Sequence, residues 1–427
     1  MQIDHNIDAC FSDVCENGID RDFFEAWLGR ASRHGRRFQA QLTNGEHPFL
    51  GIALDKSDLP AMQEQADRLR NEFDQVLFLG TGGSSLGAQA LTALAPFPVQ
   101  ARIKFADNLD GSQFQDMLNG LNPARTATVA VSKSGGTTET LAQTAAVIDW
   151  YRRMQSEEVV ARNMLVITEP TDNPLRRLAD RFEMPVLVHD PDVGGRFSVL
   201  TIVGGLPGMV AGLDVSAMRD GAGAVLDSLS RNPTNPAVKG AALTIGLTVD
   251  KQLRQQVMLP YAGRLDLFAD WHRQLWAESL GKNGLGQTPI SGLGPVDQHS
   301  QLQLWADGPL DKLFTILTVD SPEPGPVVAP DLVEDPALAY MAERSFGDIV
   351  TAQAKATSEA LIECGRPVRR ISIETLDEAS LGVLFAHFML ETVIAADLLG
   401  ISAFGQPGVE GGKARIRQYL QTMGGGS

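Results

Sequence analysis

Short apolar runs recur along the chain, and the spacing between them leaves room for a helix each time. In the first half they are "QVLFLG" (75–80), "RIKFAD" (102–107), "TATVAVS" (126–132), "NMLVIT" (163–168) and "MPVLVH" (184–189). Runs with so little polar alternation are strands covered on both faces, which means parallel sheets with helices on each side. "QVMLPY" (256–261), "KLFTILTV" (312–319) and "VRRISIET" (368–375) repeat the scheme more loosely. The fold class is therefore α/β, with two units and a boundary near Gly212 to Ser216. The stretch "SLGVLFAHFMLETVIAADLLG" (380–400) reads as a long helix across the second sheet. The length of 427 residues agrees with about two to three domains.

Charge and composition narrow the partners. A net charge of −16 argues against nucleic acid or an anionic membrane as the main partner. The start, "MQIDHNIDACF", lacks the basic and apolar regions of a signal peptide. The longest uncharged apolar run, Phe197 to Leu213, contains Pro207 and several glycines and reads as a buried helix rather than a membrane span. Cys10, Cys15 and Cys364 are odd in number and form no CxxC, which fits a reducing, cytoplasmic setting. No metal-ligand spacing is visible, and no cofactor is expected.

Two loops rich in glycine and hydroxyls follow strands directly: "FLGTGGSSLGAQAL" (78–91) and "VAVSKSGGTTETL" (129–141). Glycines let backbone N–H groups approach a ligand, the helix beyond adds its positive end, and hydroxyls donate to anionic oxygens. The pair predicts one phosphate held from both sides, by Gly83 and Ser84 in the first loop and by Ser132, Lys133, Ser134 and Thr137 in the second. Neither loop is a Walker A or a complete dinucleotide motif. "GSSLG" (83–87) matches the nucleophile elbow of hydrolases around Ser85, although "GTG" separates it from the strand. Ser and Thr also serve as ordinary helix N-caps, which is the bland alternative for either loop alone.

Glu278 stands out among the carboxylates. It shares a helical face with Leu275 and Trp271 and lies in the last turn before Gly281. Burial and the negative helix end both act to raise its pKa, as suits a general base.

These stretches, with "GGRFSVLT" (194–201), "WAESLGKNG" (276–284), "DQHSQLQLW" (297–305) and "GQPGVEGGK" (405–413), fall in the order seen in the glucose-6-phosphate isomerase (phosphoglucose isomerase) family. The resemblance is to its shorter, bacterial-type members and runs from about Leu77 to Lys413. It implies two SIS-type (sugar isomerase) three-layer α/β/α domains, at 51–212 and 213–400. A mainly helical segment, 1–50, precedes them, and a C-terminal segment, 401–427, carries a site lysine. The implied activity is reversible isomerisation of glucose 6-phosphate and fructose 6-phosphate through an enediolate, in glycolysis and gluconeogenesis. Glu278 then matches the family's base and Arg196 the group that stabilises the enediolate. Lys413 matches the lysine at the ring oxygen, and Gln406 is a further substrate contact. His299 matches a histidine contributed by the neighbouring subunit, so a homodimer with shared sites is implied. The alternatives are an aldose–ketose isomerase that also accepts mannose 6-phosphate, and a phosphosugar-binding regulator without catalysis.

Overall fold

The computed structural model describes residues 3–423; the "GGGS" end lies outside them. Its strands are β1 (Asp4–Asn6), β2 (Gln75–Leu79), β3 (Ile103–Ala106), β4 (Thr126–Val131), β5 (Met164–Thr168), β6 (Val186–Val188), β7 (Gln255–Pro260), β8 (Thr288–Ser291), β9 (Lys312–Val319) and β10 (Val368–Ile373). They form two five-stranded sheets, ordered β3-β2-β4-β5-β6 and β1-β10-β9-β7-β8. The first is parallel throughout. The second is parallel except for β1, which pairs antiparallel with β10.

Every apolar run read as a strand is one. Two strands escaped that reading. β1 is three polar residues, and β8 begins Thr-Pro. Both lie at sheet edges, where one side needs no ladder partner and proline is tolerated. Through β1 the N-terminal segment joins the second sheet, and its helix Arg21–Thr43 packs on the helices Pro236–Asp250 and Glu378–Leu398.

The pleat of the first sheet divides its side chains between two cores. Val76, Phe78, Val129, Leu165 and Ile167 face one cluster, and Leu77, Leu79, Ala130, Met164 and Val166 face the other. The first of these clusters also takes in Met258, Leu313, Leu317 and Ile371 of the second sheet. One continuous core thus joins the inner faces of both sheets. It is filled by Ile202–Val210, which with the 3-10 turn Gly195–Leu200 is the buried segment expected from the apolar run, and by Glu378–Leu398. The latter helix starts at a capping box between Asp377 and Ser380. It is apolar enough to cross a membrane by length and composition, but 94% of that window is buried inside the protein.

One polar cluster is sealed into this helix layer. Arg369 of β10 donates to Glu391 over 2.7 Å, and both are fully buried. His387 Nε2 lies 3.2 Å from the same carboxylate. Burial opposes the Glu391 charge, yet Arg369 beside it holds the carboxyl down to about 2. His5, His272 and His387 are all shifted below the ordinary histidine value, chiefly because burial disfavours their charged form, His272 to about 3. A histidine lowered in the folded state takes up its proton only on unfolding. Its contribution is therefore complete above the unfolded value of 6.5 and declines as the pH falls below it. We expect the wild type to lose about 2 kcal/mol more stability between pH 7 and pH 5 than His272→Gln does. Denaturant titration at the two pH values checks this, and equal losses would refute it.

Candidate active site

The first sheet reverses its winding between β2 and β4. β2 leads to β3 on one side, and β4 leads to β5 on the other. Such a switch point opens a crevice at the carboxyl ends of the strands, where ligands of open α/β sheets sit. The two glycine-hydroxyl loops are the ones that follow β2 and β4, so they flank this crevice side by side.

In the second loop Ser132 is buried, and its Oγ lies 3.0 Å from Thr137 Oγ1. Thr137 begins the helix Thr138–Met154, but its side chain makes no capping bond. The N-cap alternative is thus not realised here, and the helix start keeps its donors for an anion. Lys133 is partly buried and Ser134 is exposed, with its Oγ accepting the Gly136 N–H. Gly135 has φ +59°, and a Cβ there would fall 1.7 Å from Asn173 Oδ1. Asn173 in turn caps the helix Pro174–Arg181 and donates to Thr168 Oγ1. The loop is therefore moulded on β5 and the turn after it, and no larger residue fits at Gly135.

In the first loop Gly83 and Ser84 lie on a short 3-10 turn, both partly exposed. A Cβ at Gly83 would come 2.2 Å from the carbonyl carbon of Gly195. This bare contact brings the loop against the turn that carries Arg196. The hydrolase alternative fails on geometry. Ser85 is buried, and its Oγ accepts from Gln89, which also donates to Asp107. No histidine among the described residues bonds to it.

Arg196 is 4% exposed, and all its donors are used. Nε donates to Ser279 Oγ at 2.9 Å, and Nη1 to Glu278 Oε2 at 3.1 Å and Gln406 Oε1 at 3.3 Å. Nη2 donates to the carbonyls of Ala403 at 2.5 Å and Gly405 at 3.0 Å. Burial lowers its pKa, and Glu278 opposes that shift. The remaining Glu278 oxygen accepts from Gln274 Nε2 at 3.0 Å, one helical turn earlier. Glu278 itself is one-third exposed. It is not sunk in the apolar stripe of Trp271 and Leu275; it borders that stripe and faces a guanidinium, which the helical pattern alone does not register.

Arg196, Glu278 and Gln406 are thus brought together from three parts of the chain. His299 and Lys413 are not. His299 is exposed after the turn Val296–Gln298 and hydrogen-bonds through its side chain to neither Glu278 nor Arg196. Lys413 lies on the helix Glu410–Thr422, which buries no residue, and its Nζ pairs with Glu410 at 2.8 Å. Sequence reading missed Gln274, Ser279 and Asn173. Only Gln274 carried a signal, a polar residue four positions before a candidate base.

Parallel sheets flanked by helices, with hydroxyl-glycine loops at a switch point, define an SIS-type α/β protein. Residues 66–289 match the family model described as phosphoglucose isomerase. The glucose-6-phosphate isomerase of Rubrobacter xylanophilus is 36% identical over 376 residues, covering 86% of this chain and 87% of that one. The structure of the hypothetical protein TT0462 from Thermus thermophilus superposes with a TM-score of 0.87 at 29% identity, covering 98% of this chain and 100% of the other. A glucose-6-phosphate isomerase from Chlamydia trachomatis shares the fold, with a TM-score of 0.81 at 20% identity over 96% of this chain and 87% of that one. The chain belongs to the phosphoglucose isomerase family.

If the second loop grips phosphate, Ser132→Ala and Thr137→Ala should each weaken binding of inorganic phosphate by about 1.5–3 kcal/mol, one hydrogen bond to a charged group. Titration calorimetry measures this directly, and unchanged affinity in both variants would exclude the loop.

Proposed function

We propose that this chain interconverts glucose 6-phosphate and fructose 6-phosphate as an aldose–ketose isomerase. The observation that carries the reading is the Glu278 carboxylate, held on one oxygen by Arg196 and on the other by Gln274, beside two loops built for an anion. The sugar phosphate lies between Ser132, Thr137 and the start of Thr138–Met154 on one side and Gly83 and Ser84 on the other, with Lys133 adding charge. Its carbon chain then extends toward Glu278.

In the open-chain aldose, Glu278 takes the proton from C2. The electron pair forms the C1–C2 double bond, and the carbonyl electrons move to O1. The enediolate is charged, and Arg196 stabilises it as a fixed positive charge, since its N–H groups are already bound to protein. The O2 proton passes to O1, and Glu278 returns its proton to C1, giving the ketose. Gln406, on the loop held by Arg196, orients the sugar hydroxyls. Ring opening falls to Lys413 and to His299 of the partner subunit. Both are exposed in the single chain, and the reading has them meet the sugar when the C-terminal helix and a second chain come together on it. The protein works in this reading as a cytoplasmic homodimer whose substrate is its only small-molecule requirement. The reading keeps 51–212 and 213–400 as its two SIS-type domains.

Glu278→Gln keeps the size of the side chain and its hydrogen bonds but removes the basicity. It should leave KM near wild type and lower kcat by roughly two to four orders of magnitude. Incubation with fructose 6-phosphate in deuterated water reads the proton step itself. Wild type should place deuterium at C2 of glucose 6-phosphate, and exchange by the Gln variant at the wild-type rate would mean another base.

A shared site has its own test. Inactive Glu278→Gln and inactive His299→Ala subunits, mixed and re-associated, should regain activity, because one hybrid site carries both native groups. Mixed dimers that form and stay inactive would mean that His299 serves the site of its own chain and that the site is not shared.

A further inference from the structure

The loop between the last core helix and the C-terminal helix is held by two cations. Lys282 Nζ donates to the carbonyls of Ser402 at 2.7 Å and Phe404 at 2.9 Å. Arg196 Nη2 takes the carbonyls of Ala403 and Gly405. Consecutive carbonyls thus alternate between one cation and the other. We propose that Lys282 is a positioning residue, whose ammonium clamps this loop against Arg196 and thereby fixes where Gln406 meets the guanidinium that holds Glu278 and where the C-terminal helix leaves the body.

Three features support the clamp. Lys282 is anchored where the loop needs it, two residues past the end of Asp266–Leu280, the helix that presents Glu278. The same anchor therefore carries the base and the tether. The loop has little else to hold it. Ala403 is buried, and the Phe404 ring rests on Phe49 and Phe197 at 5.7 and 5.5 Å, but Ser402, Gly405 and Gln406 are exposed, as is all of Glu410–Thr422. Among the described residues Lys282 also forms no ion pair; its hydrogen bonds go to main-chain carbonyls.

The charged groups facing the ammonium are Arg196, which repels it, and Glu278, which attracts it. Burial first, and then Arg196, lowers its pKa to about 8. Above that pH the amine is neutral, and its bonds to the carbonyls lose their charge assistance. The clamp should then loosen on the alkaline side, while an arginine at the same place would stay charged.

The inference rests on the isomerase reading, so the test has an arm that does not. In the protein without substrate, amide hydrogen exchange of peptides covering 401–409 should be clearly faster in Lys282→Met than in wild type and close to wild type in Lys282→Arg. Equal exchange in wild type and the Met variant overturns the clamp, whatever the activity. In the isomerase assay Lys282→Met should lower kcat/KM about ten- to hundredfold, as loss of a charged hydrogen bond predicts. Lys282→Arg should restore most of the rate and move the alkaline limb, expected near pH 8, to higher pH. Adding Gln406→Ala to Lys282→Met should cost little more, because both act through the same side chain. Fully additive losses, or an alkaline limb unmoved by arginine, overturn the positioning role. A wild type without isomerase activity removes the functional reading and leaves the exchange comparison to judge the clamp.

Discussion

A buried guanidinium holds this site together. Arg196 is one residue, yet it binds Ser279 and Glu278 on one helix and Ala403, Gly405 and Gln406 on the C-terminal loop. Taking such a group out of water costs several kcal/mol unless every donor finds an acceptor, and here each does. The planar fork matters as much as the charge. A lysine could not reach a carboxylate, an amide oxygen, a hydroxyl and two carbonyls in fixed directions.

This centre makes the distance between the two halves of the site a property of the fold. The turn carrying Arg196 lies against Gly83 with no side chain between them. The loop after β2 is therefore at a set separation from the carboxylate that Arg196 orients. The loop after β4 is set in turn by its strand and by Asn173. In the proposed reaction, a phosphate at the switch point and a carbon chain offered to Glu278 would meet at a spacing fixed before the substrate arrives. Such preorganisation is one way a protein lowers a proton-transfer barrier without covalent chemistry. Below the site, the shared core and the sealed Arg369–Glu391 pair occupy the helix layer.

Legibility in the sequence followed the range of the interaction. β2, β4 and β5 could be read because a parallel strand covered on both faces has to be apolar throughout. β1 and β8 could not, because an edge strand needs only backbone pairing and leaves polar residues and a proline in place. The end of the Glu278 helix at Gly281 was legible for the same local reason. Thr137 stands at the N-cap position of its helix, but its hydroxyl lies against Ser132 and makes no capping bond, which the sequence could not show.

What the chain determined by itself is the alternation of strands and helices, the two glycine-hydroxyl loops at strand ends, and a family order of motifs naming Glu278 and Arg196. These are local facts, set by apolar periodicity and by the backbone freedom of glycine. What only the tertiary structure decided is the company each residue keeps. Glu278 meets a residue 82 positions away, and Arg196 meets Ala403 across 207. Lys282 finds its first carbonyl 120 positions on, and the side chain of that residue does nothing to mark it. Main-chain acceptors leave no trace in a sequence, because every residue has one. Only the folded path of the chain selects which of them a buried cation will reach.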